Sequence, residues 1–132
     1  MSDEIKGLEF TFYFKPYHGD VDDYAVLYHA NYLRYFEYAR SEVLEGFQLG
    51  HLCFAVQHLS IDYIKPIIKG QRVRITSQFS LGQRPMILQT QQAMYDAISD
   101  VLLSKMSCQL VGVNKAMSVI RIDKTLKALL KL

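Results

Sequence analysis

No Pro-, Gly- or Ser-rich stretch, low-complexity tract or internal repeat divides this sequence, so its 132 residues read as one domain around one core. Cysteine is scarce too. Cys53 and Cys108 are far apart and lack a CxxC spacing, which favours two reduced, structural thiols over a disulfide or a thiolate metal site. Charge of one sign is nearly absent. A net charge of +2, with no tract that interleaves Lys or Arg with aromatics, argues against nucleic acid as a partner. Long apolar runs are missing as well: the longest, Val101 to Val113, is interrupted by Lys105 and too short to span a bilayer. The opening residues MSDEIKGLE have neither the basic nor the apolar region of a signal peptide. The expectation is a soluble, cytoplasmic protein with no membrane span.

What the chain does have is apolar mass. Half its residues are hydrophobic, including seven Phe and nine Tyr, enough for a full core with apolar surface left for self-association. Leu8 to Tyr17 reads as an aromatic-rich strand ending near Pro16 and the His18–Gly19 turn signals. A helix is expected from Asn31, as N-cap, to about Glu45. Its wheel gathers Tyr32, Tyr35, Phe36, Ala39, Val43 and Gly46 on one side and Arg34, Glu37, Ser41 and Glu45 on the other. Gly46 and Gly50 offer C-terminal stops, and Glu37 with Arg40 reads as a local ion pair.

After Leu52 the period falls from about 3.6 to about 2. Leu59, Ile61 and Tyr63 alternate with polar residues, and so do Val73, Ile75 and Phe79; Met86 to Tyr95 and Val101 to Val113 follow across turns. Asp123 is placed to cap a short closing helix containing Leu126, Leu129 and Leu130. The fold class is therefore α+β, an antiparallel sheet of about five strands wrapped around one long helix. One helix cannot cover both faces, so the other face or an edge strand is expected to be buried by a second copy.

The chemistry concentrates in DVDDYAVLYHANYLRYFEYAR, Asp20 to Arg40, where an acidic loop runs into the aromatic helix. A helix N-terminus offers unpaired N–H groups and a positive dipole, suited to a carbonyl that gains negative charge under attack. Asp20, Asp22 and Asp23 fall within four positions as candidate carboxylates, although an Asp in a loop can equally close an Asx-turn. Asp20 is expected to shape the loop through backbone hydrogen bonds.

The strand, DxD loop, VLYHANYLRYFEYAR helix and four following strands resemble the hotdog-fold thioesterases of the 4-hydroxybenzoyl-CoA thioesterase superfamily, especially the YbgC-like branch. Asp62, Tyr63 and Pro66 resemble that family's next strand and its exit. The resemblance implies hydrolysis of an acyl thioester, with Asp22 as nucleophile or as general base for water. It implies that His29 contributes a carbonyl-polarising backbone N–H assisted by its side chain. Tyr28, Asn31 and Tyr32 are the accompanying candidates for substrate contact, and Arg84 lies in a turn resembling a nucleotide-contact loop. The active site is expected at a subunit interface, in a homodimer or homotetramer, with coenzyme A or an acyl-carrier protein carrying the acyl group. A thiolate leaves readily, so neither metal nor organic cofactor is expected.

The chain departs from the family pattern at Ala25, where Gly is usual, at Val21, where Thr or Cys is usual, and at Gly19, often Tyr or Phe. Another branch carries its catalytic carboxylate on the helix, which makes Glu42 a residue to check. Lys65, Lys69, Arg72, Arg74 and Arg84 offer either a solvated strand face or a site for coenzyme A phosphates or an acidic carrier protein. Two alternatives stand beside hydrolysis: a noncatalytic binding protein of the same fold, and a metal site built from His18, Asp20, Asp22, Asp23 and His29.

Overall fold

A computed structural model describes residues 8–131; the opening stretch read above for a signal sequence lies mostly outside them. Five strands, β1 (Glu9–Phe14), β2 (Cys53–Tyr63), β3 (Val73–Leu81), β4 (Ile87–Asp96) and β5 (Leu102–Val113), form one sheet in the order β1-β3-β4-β5-β2, antiparallel throughout. The long helix α1 (His29–Gly46) lies on the sheet and the short α2 (Asp123–Leu129) closes one end. The expected α+β architecture is the one observed.

Alternation decides which face meets α1. Val73, Ile75 and Phe79 of β3, Leu88 and Met94 of β4, and Met106, Cys108 and Leu110 of β5 are buried against Tyr32, Phe36, Ala39 and Leu44 of the helix. Period-2 side chains from three central strands thus meet one helical stripe. The outer face is polar: Gln89 donates to Gln109, Gln109 to Gln57, and Gln91 to Ser107. Both edge strands, β1 and β2, contain no buried residue.

Several expectations need correction. The helix begins three residues earlier than read, with Tyr28 rather than Asn31 as N-cap, because Asn31 turns its amide onto the carbonyl of Asp20 (2.9 Å) instead of capping. The buried stripe takes in Arg40 and Leu44, whereas Gly46 is exposed, and the Glu37–Arg40 ion pair is not formed among the described residues. Arg40 instead donates to Gln92 of β4 (3.1 Å). Asp123 is the first residue of α2 rather than its cap and pairs with Arg121 at 2.9 Å. The first strand also stops at Phe14, short of Tyr17. No helix among the described residues is long and apolar enough to cross a membrane.

Candidate active site at the start of α1

The acidic loop is a miniature hairpin. Val21 bridges Leu27, the Asp22 N–H donates to the Val26 carbonyl (2.9 Å), and Ala25 turns the corner with φ = 62°. That left-handed backbone is the geometry Gly adopts without cost, so the departure at Ala25 falls where the turn demands most. Asp22 folds back as an Asx-turn: Oδ1 accepts from the N–H of Tyr24 (2.8 Å) and of Val26 (3.4 Å). Its second oxygen takes no hydrogen bond from the described residues.

Asp20 ties this hairpin to the helix. Its carboxylate accepts from the Tyr17 N–H (2.9 Å) and the Tyr35 hydroxyl (2.7 Å), and its carbonyl from Tyr28 N–H (3.0 Å) and the Asn31 amide. The loop-shaping role expected of Asp20 is what the geometry shows. Burial, reinforced by the bond to Asp20, pushes the Tyr35 phenol well above its ordinary range. Tyr35 also stacks on Phe14, ring centres 3.9 Å apart.

Where the loop meets α1, Asp22, His29, Tyr32, Tyr63, Lys65 and Pro66 line an open cavity of about 340 Å³. The backbone N–H groups of His29 and Ala30, in the first helical turn, have no acceptor among the described residues. Asp22 and His29 thus line one cavity, at the helix end whose first N–H groups are open. Tyr32 crosses Tyr63 edge to face at 4.8 Å, and burial pushes both phenols up. The Tyr63 hydroxyl donates to the His29 carbonyl (3.1 Å), pinning the end of β2 to the helix start.

Of the sequence candidates, Asp22, His29 and Tyr32 meet in this cavity. Tyr28 lies just outside, its ring 4.4 Å from that of His29, and Asn31 is occupied by Asp20. Arg84 is not brought there within one chain. It precedes Ile87, which pairs with Val111 beside the Cys53 end of β2, whereas the cavity sits at the Tyr63 end, about 33 Å along the strand at roughly 3.3 Å per residue. The basic residues disperse likewise: Lys65 lines the cavity, while Arg74 pairs with Asp100 and lies over the Tyr95 ring. Glu42 faces the other side of α1, in a cavity against β1. Among the described residues no three His, Cys, Asp or Glu side chains gather as a metal site. Tyr63 and Lys65 also line the cavity; Tyr63 is signalled only by the resemblance at Asp62, Tyr63 and Pro66, and Lys65 only as one of the basic residues.

Residues 24–84 match the family described as the thioesterase superfamily. The chain is 37% identical over 70 residues to an acyl-CoA thioesterase YbgC of Helicobacter pylori, an alignment spanning 48% of this chain and 51% of that protein, about half its length. Over 128 residues it is 29% identical to the YbgC acyl-CoA thioesterase of Haemophilus influenzae, covering 90% and 92% of the two chains. In fold it is similar to a 1,4-dihydroxy-2-naphthoyl-CoA thioesterase from Synechocystis, with a TM-score of 0.82, 17% identity and coverage of 93% and 96%.

Proposed function

We propose, from the premise that the chain belongs to the thioesterase superfamily and has its hotdog fold, that it hydrolyses acyl thioesters at the Asp22 cavity. The observation that carries this reading is one cavity lined by both Asp22, with an oxygen free of hydrogen bonds, and His29, at the helix start whose N–H groups are open. The thioester carbonyl oxygen is received by those donors, whose field favours the negative charge that attack develops there. Asp22 removes a proton from water as the water oxygen bonds to the carbonyl carbon, or attacks that carbon itself. The C–S bond then breaks and the thiolate departs; the water route releases the free acid directly, whereas attack by Asp22 leaves a mixed anhydride that water cleaves to the free acid and the Asp22 carboxylate. Lys65 and the tyrosine rings wall the space around the acyl carbonyl. Coenzyme A or a carrier-protein phosphopantetheine supplies the thiol.

The working unit is a dimer paired along β2. This strand is eleven residues long, lies at the sheet edge, buries none of its residues and leaves Val56 and Tyr63 about half exposed. Two β2 edges related by a two-fold axis pair antiparallel, which keeps both α1 helices on one face. The Cys53 end of each copy then adjoins the Tyr63 end of the other, carrying the Arg84 turn towards the second copy's cavity. Sedimentation of the purified protein tests this: a monomer at micromolar concentration would refute the pairing.

Thiol release from acyl-coenzyme A and acyl-carrier-protein thioesters, wild type against Asp22→Asn, tests the chemistry. Asn keeps the turn acceptor for Tyr24 but cannot take the proton, so kcat should fall by about 10²-fold or more with fold and assembly retained. Equal rates in the two proteins would remove Asp22 from the reaction.

A further inference from the structure

A second, larger cavity of about 610 Å³ opens between the C-terminal half of α1 and the beginning of β2. Its size falls within the range of small-molecule pockets. Leu44, Leu49 and Phe54 supply apolar wall, and Arg40 and Ser41 supply polar groups. Arg40 is only 6% exposed, and its one hydrogen bond among the described residues goes to the neutral Oε1 of Gln92. Gln92 is spent in turn on the Phe36 carbonyl and Ser77, both at 2.9 Å, so it cannot rearrange to serve the guanidinium further.

No carboxylate of the described residues lies within ion-pair distance of Arg40. Glu37 and Glu45 line the same cavity but are exposed, where water screens them. A guanidinium carries five N–H donors and does not give up its proton, so burying it with a single neutral acceptor is costly unless something else accepts from it. The cavity it lines is where that acceptor can come from.

The cavity is distant from the Asp22 centre of its own chain: His29 to Arg40 is about 16 Å along the helix at 1.5 Å per residue. It lies at the Cys53 end of β2, which in the β2-paired dimer adjoins the other copy's Tyr63 end. We propose that this cavity receives the acyl group of the thioester bound at the second copy's helix start, and that Arg40 selects acyl groups bearing an oxygen acceptor over plain hydrocarbon chains. The assignment rests on the thioester-hydrolase reading above. Hydroxyl, keto and carboxylate oxygens share the required chemistry, with the carboxylate able to use the guanidinium fork at two points.

The test is kcat/KM for coenzyme A thioesters of matched chain length ending in methyl, hydroxyl or carboxylate, with wild type, Arg40→Met and Arg40→Lys. Wild type should favour at least one oxygenated chain over the methyl-ended one by about tenfold or more, the size of a hydrogen bond to a charged group. Which oxygenated chain wins identifies the source. Arg40→Met should collapse that ratio, and Arg40→Lys, keeping charge without the fork, should hold part of it. Hydrolysis of all chains with equal ratios in wild type overturns the inference while leaving the hydrolase standing, and this comparison needs no variant to fold. A preference that survives Arg40→Met overturns it too. Dimers mixed from Asp22→Asn and Arg40→Met chains should regain selective hydrolysis; failure to regain it overturns the placement across subunits. No hydrolysis of any thioester defeats the underlying reading instead.

Discussion

Replacing Ala25 by Gly perturbs the candidate loop at its tightest point. With φ = 62°, the Ala25 Cβ crowds the following carbonyl, at a cost of about 1–2 kcal/mol. Gly removes the crowding but gives freedom back to the unfolded chain, worth roughly 0.5–1 kcal/mol. The side chain is exposed, and the residue's hydrogen bonds run through backbone atoms, its N–H to Asp22 (3.0 Å) and its carbonyl from Lys69 (3.1 Å). Nothing else is lost. Ala25→Gly should therefore stabilise the protein by about 0.5–1 kcal/mol, which raises Tm by about 2–5 °C in a domain of this size. Ala25→Val should do the reverse, losing more than about 1 kcal/mol, because a β-branched side chain fits the left-handed region worst. Urea unfolding followed by circular dichroism, with m-values compared among the three proteins, reads both effects. A less stable Gly variant, or a Val variant equal to wild type, would refute the account of this turn.

The closing segment offers a steric prediction: a Cβ at Gly112 would collide with the Ile122 side chain and lie 3.1 Å from the Ile120 carbonyl, so Gly112→Ala should cost about 1–3 kcal/mol in the same unfolding assay. At high pH, the raised phenol of Tyr35 makes stability complete below the unfolded tyrosine value near 10 and lost progressively above it. Tyr35→Phe should flatten that alkaline limb, and ultraviolet titration of the wild type should find Tyr35 still protonated in the folded protein at pH values where ordinary tyrosines have ionised. At low pH, the Asp96 carboxyl is held at about 2 by the Ser99 N–H, the Gln71 amide and the Ile98 N–H, below its ordinary 3.8. Its contribution is present above about pH 4 and lost as pH falls towards 2. Carbon NMR titration of Asp96 should find that low midpoint, and Gln71→Ala should move it up.

Local patterns sufficed for the five strands and the long helix because each alternates or cycles along its own length; Asp22 and His29 are singled out by the family resemblance, and they meet in one cavity because loop and helix start are adjacent in sequence. What failed involved partners elsewhere. Asn31 looked like a cap, yet its amide is claimed by Asp20, eleven residues earlier. Arg40 looked like a surface cation three residues from Glu37, but the helix turns it towards β4, where Gln92, fifty-two residues later, receives it. Arg84 could be assigned to a turn but not to an end of the molecule, since only the strand register shows that its turn and the Asp22 loop lie at opposite ends. A period of 2 or 3.6 reports which face is buried and carries no information about which side chain waits on that face.

The hairpin bearing Asp22 is also stitched to the β2–β3 connection: Leu27 donates to Ile67 (2.6 Å), Lys69 donates to Ala25, and Val26 bridges Ile68. Two stretches some forty residues apart in sequence thus form a single plate beneath the Asp22 carboxylate. Transplanting the acidic loop into another scaffold would bring the right residues without their support. Residues 17–28 and 64–70 would have to be exchanged or engineered together for the carboxylate to keep its place.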